Sequence, residues 1–297
     1  MSSSSGAGSI QLRPAFSYCV QQVRKYDYEH YLSLLHLPAS IRRAAFAIRA
    51  FNVETAKAGD TARDPNLAVM RLIWWRDAVE GMYKKAPVEH PVAKALAAVI
   101  ADHRLSKRWF TRLIEARVSD LEMTTAPVSV EEVERYAEST ASSLLYLTLE
   151  AAGVLNTAAD HAASHIGKAE GLALLVRATP VHGSKRRTYI PVDIAAKFGL
   201  SQEEIYRGQN AESLADAVHE VASVANAHLE KARALSSSVP KEAAPVLLPA
   251  VSAGSLLQSL ERYNFNVFDP MISRGVCGVS PLWMQLQLKW HAYRGTY

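Results

Sequence analysis

IGKAEGLALLVRATPVHGSKRRTYIP, residues Ile166–Pro191, is the stretch that decides the fold of this chain. Its first part reads as the end of a helix running from about Ala158 to Thr179. Pro180 must end or kink that helix, because it lacks an N–H and its ring clashes with the preceding turn. A basic loop follows, Gly183–Arg187, and then Thr188, Tyr189, Ile190 and Pro191.

Working outward in both directions, nearly every ordered segment reads as helix. Pro38 and Ala39 lead into Ser40–Ala58, rich in Ala, Arg and Phe. Asp64-Pro65 has the form of an N-cap followed by proline at the first helical position. Beyond it Leu67, Met70, Trp74 and Met82 keep to one face, with Ile73 beside them, until Lys84 and Lys85 end the helix. Pro91 opens a helix through His103, and Ser106 caps one carrying Trp109, Leu113 and Ile114. Ser129 with Glu132, and Ser201 with Glu204, have capping-box spacing. The helix after Ser129 passes Tyr136 and Leu144 toward Gly153, and a long one covers Ala211–Leu235. Pro240, Pro245, Pro249, Pro270 and Pro281 break the remainder into short helices. No alternating strand pattern occurs, so the expectation is an all-α helical bundle in one domain over residues 15–297. Residues 1–14 read as a flexible tail or a weak mitochondrial targeting segment: Met1–Tyr26 has serines and basic residues but no Asp or Glu.

Composition narrows the class of function. The net charge of +4 suits a protein near anionic surfaces or phosphorylated ligands. No basic stripe interleaved with aromatics stands out, so nucleic acid is not an expected partner. The two cysteines, Cys19 and Cys277, are too far apart in sequence for a CxxC pair, which argues for a reducing compartment. No apolar run reaches the roughly 18 residues that span a bilayer.

Two segments carry a resemblance. One is Asp27-Tyr28-Glu29-His30-Tyr31-Leu32 with Leu37-Pro38 and Arg42 to Phe51; the other is 166–191. Together they resemble the two signature regions of the squalene/phytoene synthases, over about residues 15–240. The resemblance implies an isoprenoid-synthase-type bundle. In that family, paired Asp residues at i and i+4 on facing helices hold Mg²⁺, which helps a diphosphate to leave.

Carried over residue by residue, the second signature places the family's Gln on Gly171, its Asn on Leu174 and its two Asp on Ala178 and His182, while Arg177, Arg187, Tyr189 and Pro191 match. Anchored on Ala50-Phe51, the first signature places its Asp pair on Ala56 and Asp60; a shift of three gives Val53 and Lys57. The resemblance therefore implies a degenerate pocket of Ala56, Asp60, Gly171, Leu174, Arg177, Ala178, His182 and Tyr189, with no catalytic residues and no metal. Asp60 to Asp64 is itself an Asp-x-x-x-Asp string, but Pro65 pushes Asp64 away from helical angles, and it reads as a cap.

Three further patterns have a functional and a plain reading. His161 and His165 share a helix face at metal-ligand spacing, but no third ligand lies nearby in sequence, so they read as a surface or core pair. Lys185, Arg186 and Arg187 form either a phosphate or headgroup site or a solvated loop. Pro281–Tyr297, with Leu282, Trp283, Leu286, Trp290 and Tyr293, is either a membrane-surface helix or a last helix docked on the bundle.

Within the superfamily, Ala50 to Glu54, Ser142 to Glu150, Asp160 to Ala169 and the final ten residues resemble a branch of mitochondrial complex I assembly factors. That branch implies a non-catalytic assembly factor, peripheral on the matrix side of the inner membrane. It would need no cofactor, and its partners would be complex I subunits or other assembly factors. Two readings stand beside it: an active Mg²⁺-dependent transferase condensing prenyl diphosphates, and a lipid-binding membrane adaptor.

Overall fold

A computed structural model describes the backbone of residues 5–61 and 65–297, and the side chains of residues 12–59 and 66–297. The described chain is all-α, as expected, and its one extended pairing is an isolated bridge between Val276 and Val279. In order come α1 (Ser5–Tyr26), α2 (Tyr28–Leu34), α3 (Ala39–Thr61), α4 (Pro65–Tyr83), α5 (Pro91–His103) and α6 (Lys107–Glu122). Next are α7 (Val130–Ala137), a π-helical turn (Glu138–Ser142), α8 (Ser143–Ala151) and α9 (Thr157–Arg177). The rest comprises α10 (Thr179–Ser184), α11 (Val192–Lys197), α12 (Gln202–Arg207), α13 (Ala211–Ala234), α14 (Pro249–Arg262) and α15 (Pro281–Arg294). They gather into two compact units, residues 1–122 with 146–155, and residues 123–145 with 156–297.

In the first unit α3 packs against α1, α4 and α5. Phe51 is its aromatic hub, with Trp75 and Phe110 both edge-on at ring distances of 5.4 and 5.2 Å. Helix α4 starts at Pro65 and stops before Lys84, as its punctuation predicts, but its buried face differs from expectation. Ala68, Leu72, Trp75, Val79 and Met82 are buried, whereas Leu67, Met70 and Trp74 are exposed. The helix is apolar on two sides, so periodicity alone did not distinguish the inner one. At the start of α6 the Glu150 carboxylate accepts from the Ser106 backbone N–H at 2.8 Å and from Trp109 Nε1 at 3.0 Å.

A charged cluster lies under α2. Arg49 Nε donates to Asp27 Oδ2 at 2.5 Å, and His30 Nδ1 lies 2.6 Å from Asp27 Oδ1 and 2.5 Å from Arg49 Nη2. Burial on its own would raise the Asp27 pKa, but the charges and hydrogen bonds of Arg49 and His30 more than offset it and hold the carboxyl well below its usual value.

The second unit is built around α9, which packs against α13, α14, α7 and the π turn. Contact is closest at two glycines. A Cβ on Gly167 would stand 2.5 Å from the Ser142 backbone nitrogen, and one on Gly171 would stand 2.5 Å from Ala137 Cβ. The Ser201–Glu204 capping box forms as read, with both reciprocal hydrogen bonds. Its counterpart at Ser129 does not: Glu132 reaches one residue further back, to the Val128 N–H at 2.8 Å, and the Ser129 side chain makes no cap bond to the helix backbone. The helix leading to Gly153 is interrupted by the π turn, which periodicity did not indicate. Pro180 ends α9 as expected and sits in the first turn of α10.

Two stability measurements follow. Gly171→Ala should cost about 2 kcal/mol in urea unfolding, because a methyl there overpacks an immobile helix contact. Asp27→Asn leaves Arg49 buried without its counter-charge and should cost about 3 kcal/mol at neutral pH. The native carboxyl titrates below its unfolded value, so the wild-type advantage is present above roughly pH 4 and lost as pH falls further. Melting curves of the two proteins should converge in acid.

Candidate functional site

The expected pocket residues fall in both units. In the second unit they gather at the C-terminal end of α9. Leu174 and Arg177 are half-buried on its last turns, and the Ala178 N–H closes the helix on the Leu174 carbonyl at 3.0 Å. The His182 ring meets Tyr189 edge-on at 4.8 Å, Tyr136 stacks on Tyr189 at 6.0 Å, and the Arg187 guanidinium lies 5.7 Å from the same ring. Arg177 Nη1 is 3.9 Å from Cys277 Sγ. Tyr189 is thus the centre of a small aromatic and cationic cluster that includes His182 and Arg187. Gly171 instead lies where α9 touches α7.

The basic run divides by role. Arg186 takes positive φ, donates to Glu203 at 2.9 Å and lies over the Tyr206 ring at 5.5 Å. Lys185 is exposed, and Arg187 is turned to Tyr189.

His165 is drawn into a different pairing from the one its spacing suggested. Its Nδ1 is 2.8 Å from His228 Nδ1, and His228 Nε2 is 2.7 Å from Glu134 Oε1. With Glu134 accepting from His228 Nε2–H, one proton bridges the two Nδ1 atoms and fixes the rings relative to each other. Burial, then the neighbouring His228, lowers the His165 pKa. His161 is exposed. Among the described residues no group of three or more His, Cys, Asp or Glu is placed to hold a metal ion.

In the first unit Ala56 is exposed, while the side chain of Asp60 and all of Asp64 lie outside the described residues. A cavity of about 490 Å³ opens beside α3, lined by Glu54, Lys57 and Ala58, by Arg71, Trp74 and Trp75 of α4, and by His90. Of the positions onto which the first signature carries its Asp pair, Lys57 lines this cavity and Ala56 does not. His90 Nδ1 accepts from the Val92 N–H at 3.2 Å, which puts the ring proton on Nε2, and burial lowers its pKa. The Tyr18 hydroxyl bonds to Glu54, and burial followed by the Glu54 charge raises its pKa. Lys57 Nζ is 3.6 Å from Glu54 Oε1. The lining thus combines aromatic walls with two cations, one carboxylate and an imidazole. Nearby Cys19 is no nucleophile, since burial pushes its thiol up to about 12. Sequence reasoning missed this lining; the Trp74-Trp75 doublet was its one visible signal.

Comparison with known proteins fits this architecture. The squalene/phytoene synthase family model matches residues 23–279. Among solved structures, a dehydrosqualene synthase superposes with a TM-score of 0.80 at 16% identity, covering 97% of this chain and 99% of its own. A squalene synthase from Alicyclobacillus acidocaldarius gives 0.75 at 22% identity, covering 86% and 97%. Similarity is higher to proteins named NADH dehydrogenase (ubiquinone) complex I, assembly factor 6. The Rattus norvegicus protein is 44% identical over 86% of this chain and 77% of its own, and that of Homo sapiens 40% over 94% and 82%. Phytoene synthase 1 of Arabidopsis thaliana is 24% identical over 68% of this chain and 49% of its own. The chain belongs to the squalene/phytoene synthase family, and within it groups with the proteins named for complex I assembly.

Proposed function

We propose that this protein is a non-catalytic assembly factor for mitochondrial respiratory complex I, acting peripherally on the matrix side of the inner membrane through contacts with complex I subunits or other assembly factors. The observation that carries the reading is 40–44% identity, over 84–94% of the chain, to animal proteins named for that role, against 24% to phytoene synthases. No helix among the described residues is long and apolar enough to cross a membrane, which fits peripheral attachment.

The chemistry at the second signature supports the non-catalytic part. Mg²⁺ that activates a diphosphate requires carboxylate oxygens. Ala178 and His182 offer none, and the His182 ring is packed against Tyr189, so these residues do not fit the metal. Ala56 likewise brings no ligand. The retained Arg177, Arg187 and Tyr189 serve the packing and electrostatics of the α9 terminus.

In cells lacking the protein, assembled complex I on native gels should fall several-fold. Wild type and Asp60→Ala should restore it equally, since no metal-dependent step is involved. Purified protein with Mg²⁺ and prenyl diphosphates should release no pyrophosphate. Normal complex I in the deletion strain, or Mg²⁺-dependent condensation that Asp60→Ala abolishes, would overturn the reading.

A further inference from the structure

Helix α15 carries two apolar faces. Met284 and Leu288 are fully buried against the second unit, where Ser255 of α14 bonds to Gln287 at 3.1 Å. Leu282, Trp283, Leu286, Trp290 and Tyr293 point elsewhere and are between 51% and 86% exposed. At about 100° per residue these five fall within an arc of about 100°, centred about 170° from Met284 and Leu288. A docked last helix accounts for the inner face alone.

The outer face has one sign of charge. Lys289 and Arg294 border the arc about 20° beyond its two edges. Arg294 lies 5.3 Å from the Trp290 ring. Residues 281–297 contain no Asp or Glu. The platform is fixed in place: Ser280 Oγ accepts from the Trp283 N–H at 3.2 Å, Gly295 closes the helix at positive φ, and the Tyr297 hydroxyl donates to the Ala232 carbonyl at 3.3 Å.

Leucines flanked by tryptophan, tyrosine and cations, with no anion among them, match the layering of a bilayer surface, where aromatic rings sit at headgroup depth and cations meet lipid phosphates. A protein partner's rim of mixed sign would find no anion on this helix to pair with. We propose that the outer face of α15 is the surface by which the protein lies on an anionic phospholipid bilayer, with the helix parallel to the membrane plane. This rests on the peripheral-membrane reading above and assigns it to a surface.

The test uses the full chain and vesicles of phosphatidylcholine, with and without phosphatidylglycerol. Flotation should carry the protein only with the anionic vesicles, with a blue shift in tryptophan emission, and raised salt should weaken it. Leu286→Glu combined with Trp290→Glu should reduce the bound fraction about tenfold with unchanged thermal melting, because both side chains are exposed. Lys289→Glu with Arg294→Glu should remove the preference for anionic lipid. Equal binding to neutral vesicles, or unchanged binding by Leu286→Glu/Trp290→Glu, would sink the proposal. So would a variant that keeps lipid binding but loses association with complex I subunits, which would make the face a protein contact. Vesicle binding requires no complex I, so its failure is separable from a normal complex I level in deletion cells.

Discussion

Crowding around α9 is the constraint on which the second unit depends. From Ala162 to Pro180 no residue of this stretch is exposed. A helix enclosed by α7, the π turn, α13 and α14 must present small residues, since ordinary side chains hold helix axes 8–10 Å apart. Ala159, Ala162, Ala163, Gly167, Ala169, Gly171 and Ala173 meet that need. The π turn lies against Gly167, where the widened backbone of residues 138–142 approaches α9 and Ser142 bonds to the Ser164 carbonyl at 3.1 Å. A longer side chain at position 171 has no room against Ala137 in this backbone. Position 171 is a packing site.

Buried polar groups follow the same economy. Asp27 is held ionised by Arg49 and His30, Glu150 satisfies the first donors of α6, and Glu134 orients a pair of histidines. Each is a local match of donor to acceptor, and none leaves a nucleophile beside a base. An interior organised this way resists change, because removing one partner strands another charge or donor.

Much of the fold was legible because punctuation is local. Pro65, Pro91, Pro180 and Pro281 each start or stop a helix where backbone sterics require it, and Ser201 with Glu204 closes a capping box through four residues. What failed to show depended on neighbours distant in sequence. The buried side of α4 was set by Phe51 and His90, which the helix's own pattern cannot reveal. Glu150 reaches Ser106 across more than forty positions, and His228 reaches Glu134 across more than ninety. The cavity beside α3 was hidden for the same reason: Glu54, Lys57, Arg71 and His90 acquire a common purpose only when three helices meet. The positions carried over from the synthases include His182, Arg187 and Tyr189 of the aromatic cluster and Lys57 of the cavity, but not Glu54, Arg71 or His90.

Double-faced helices mark the limit of pattern reading and bear on function. Apolar residues at helical spacing identify a face to be covered without saying what covers it. On α4 the chain's own core takes Leu72, Trp75 and Val79, and leaves Leu67, Met70 and Trp74 outside; on α15 it takes Met284 and Leu288 and leaves two tryptophans. Scattered exposed apolar residues need no explanation, but ordered stripes on well-capped helices do. On α4 the cavity beside α3 takes up Trp74, whereas the stripe on α15 is left for something outside the chain's own core to cover.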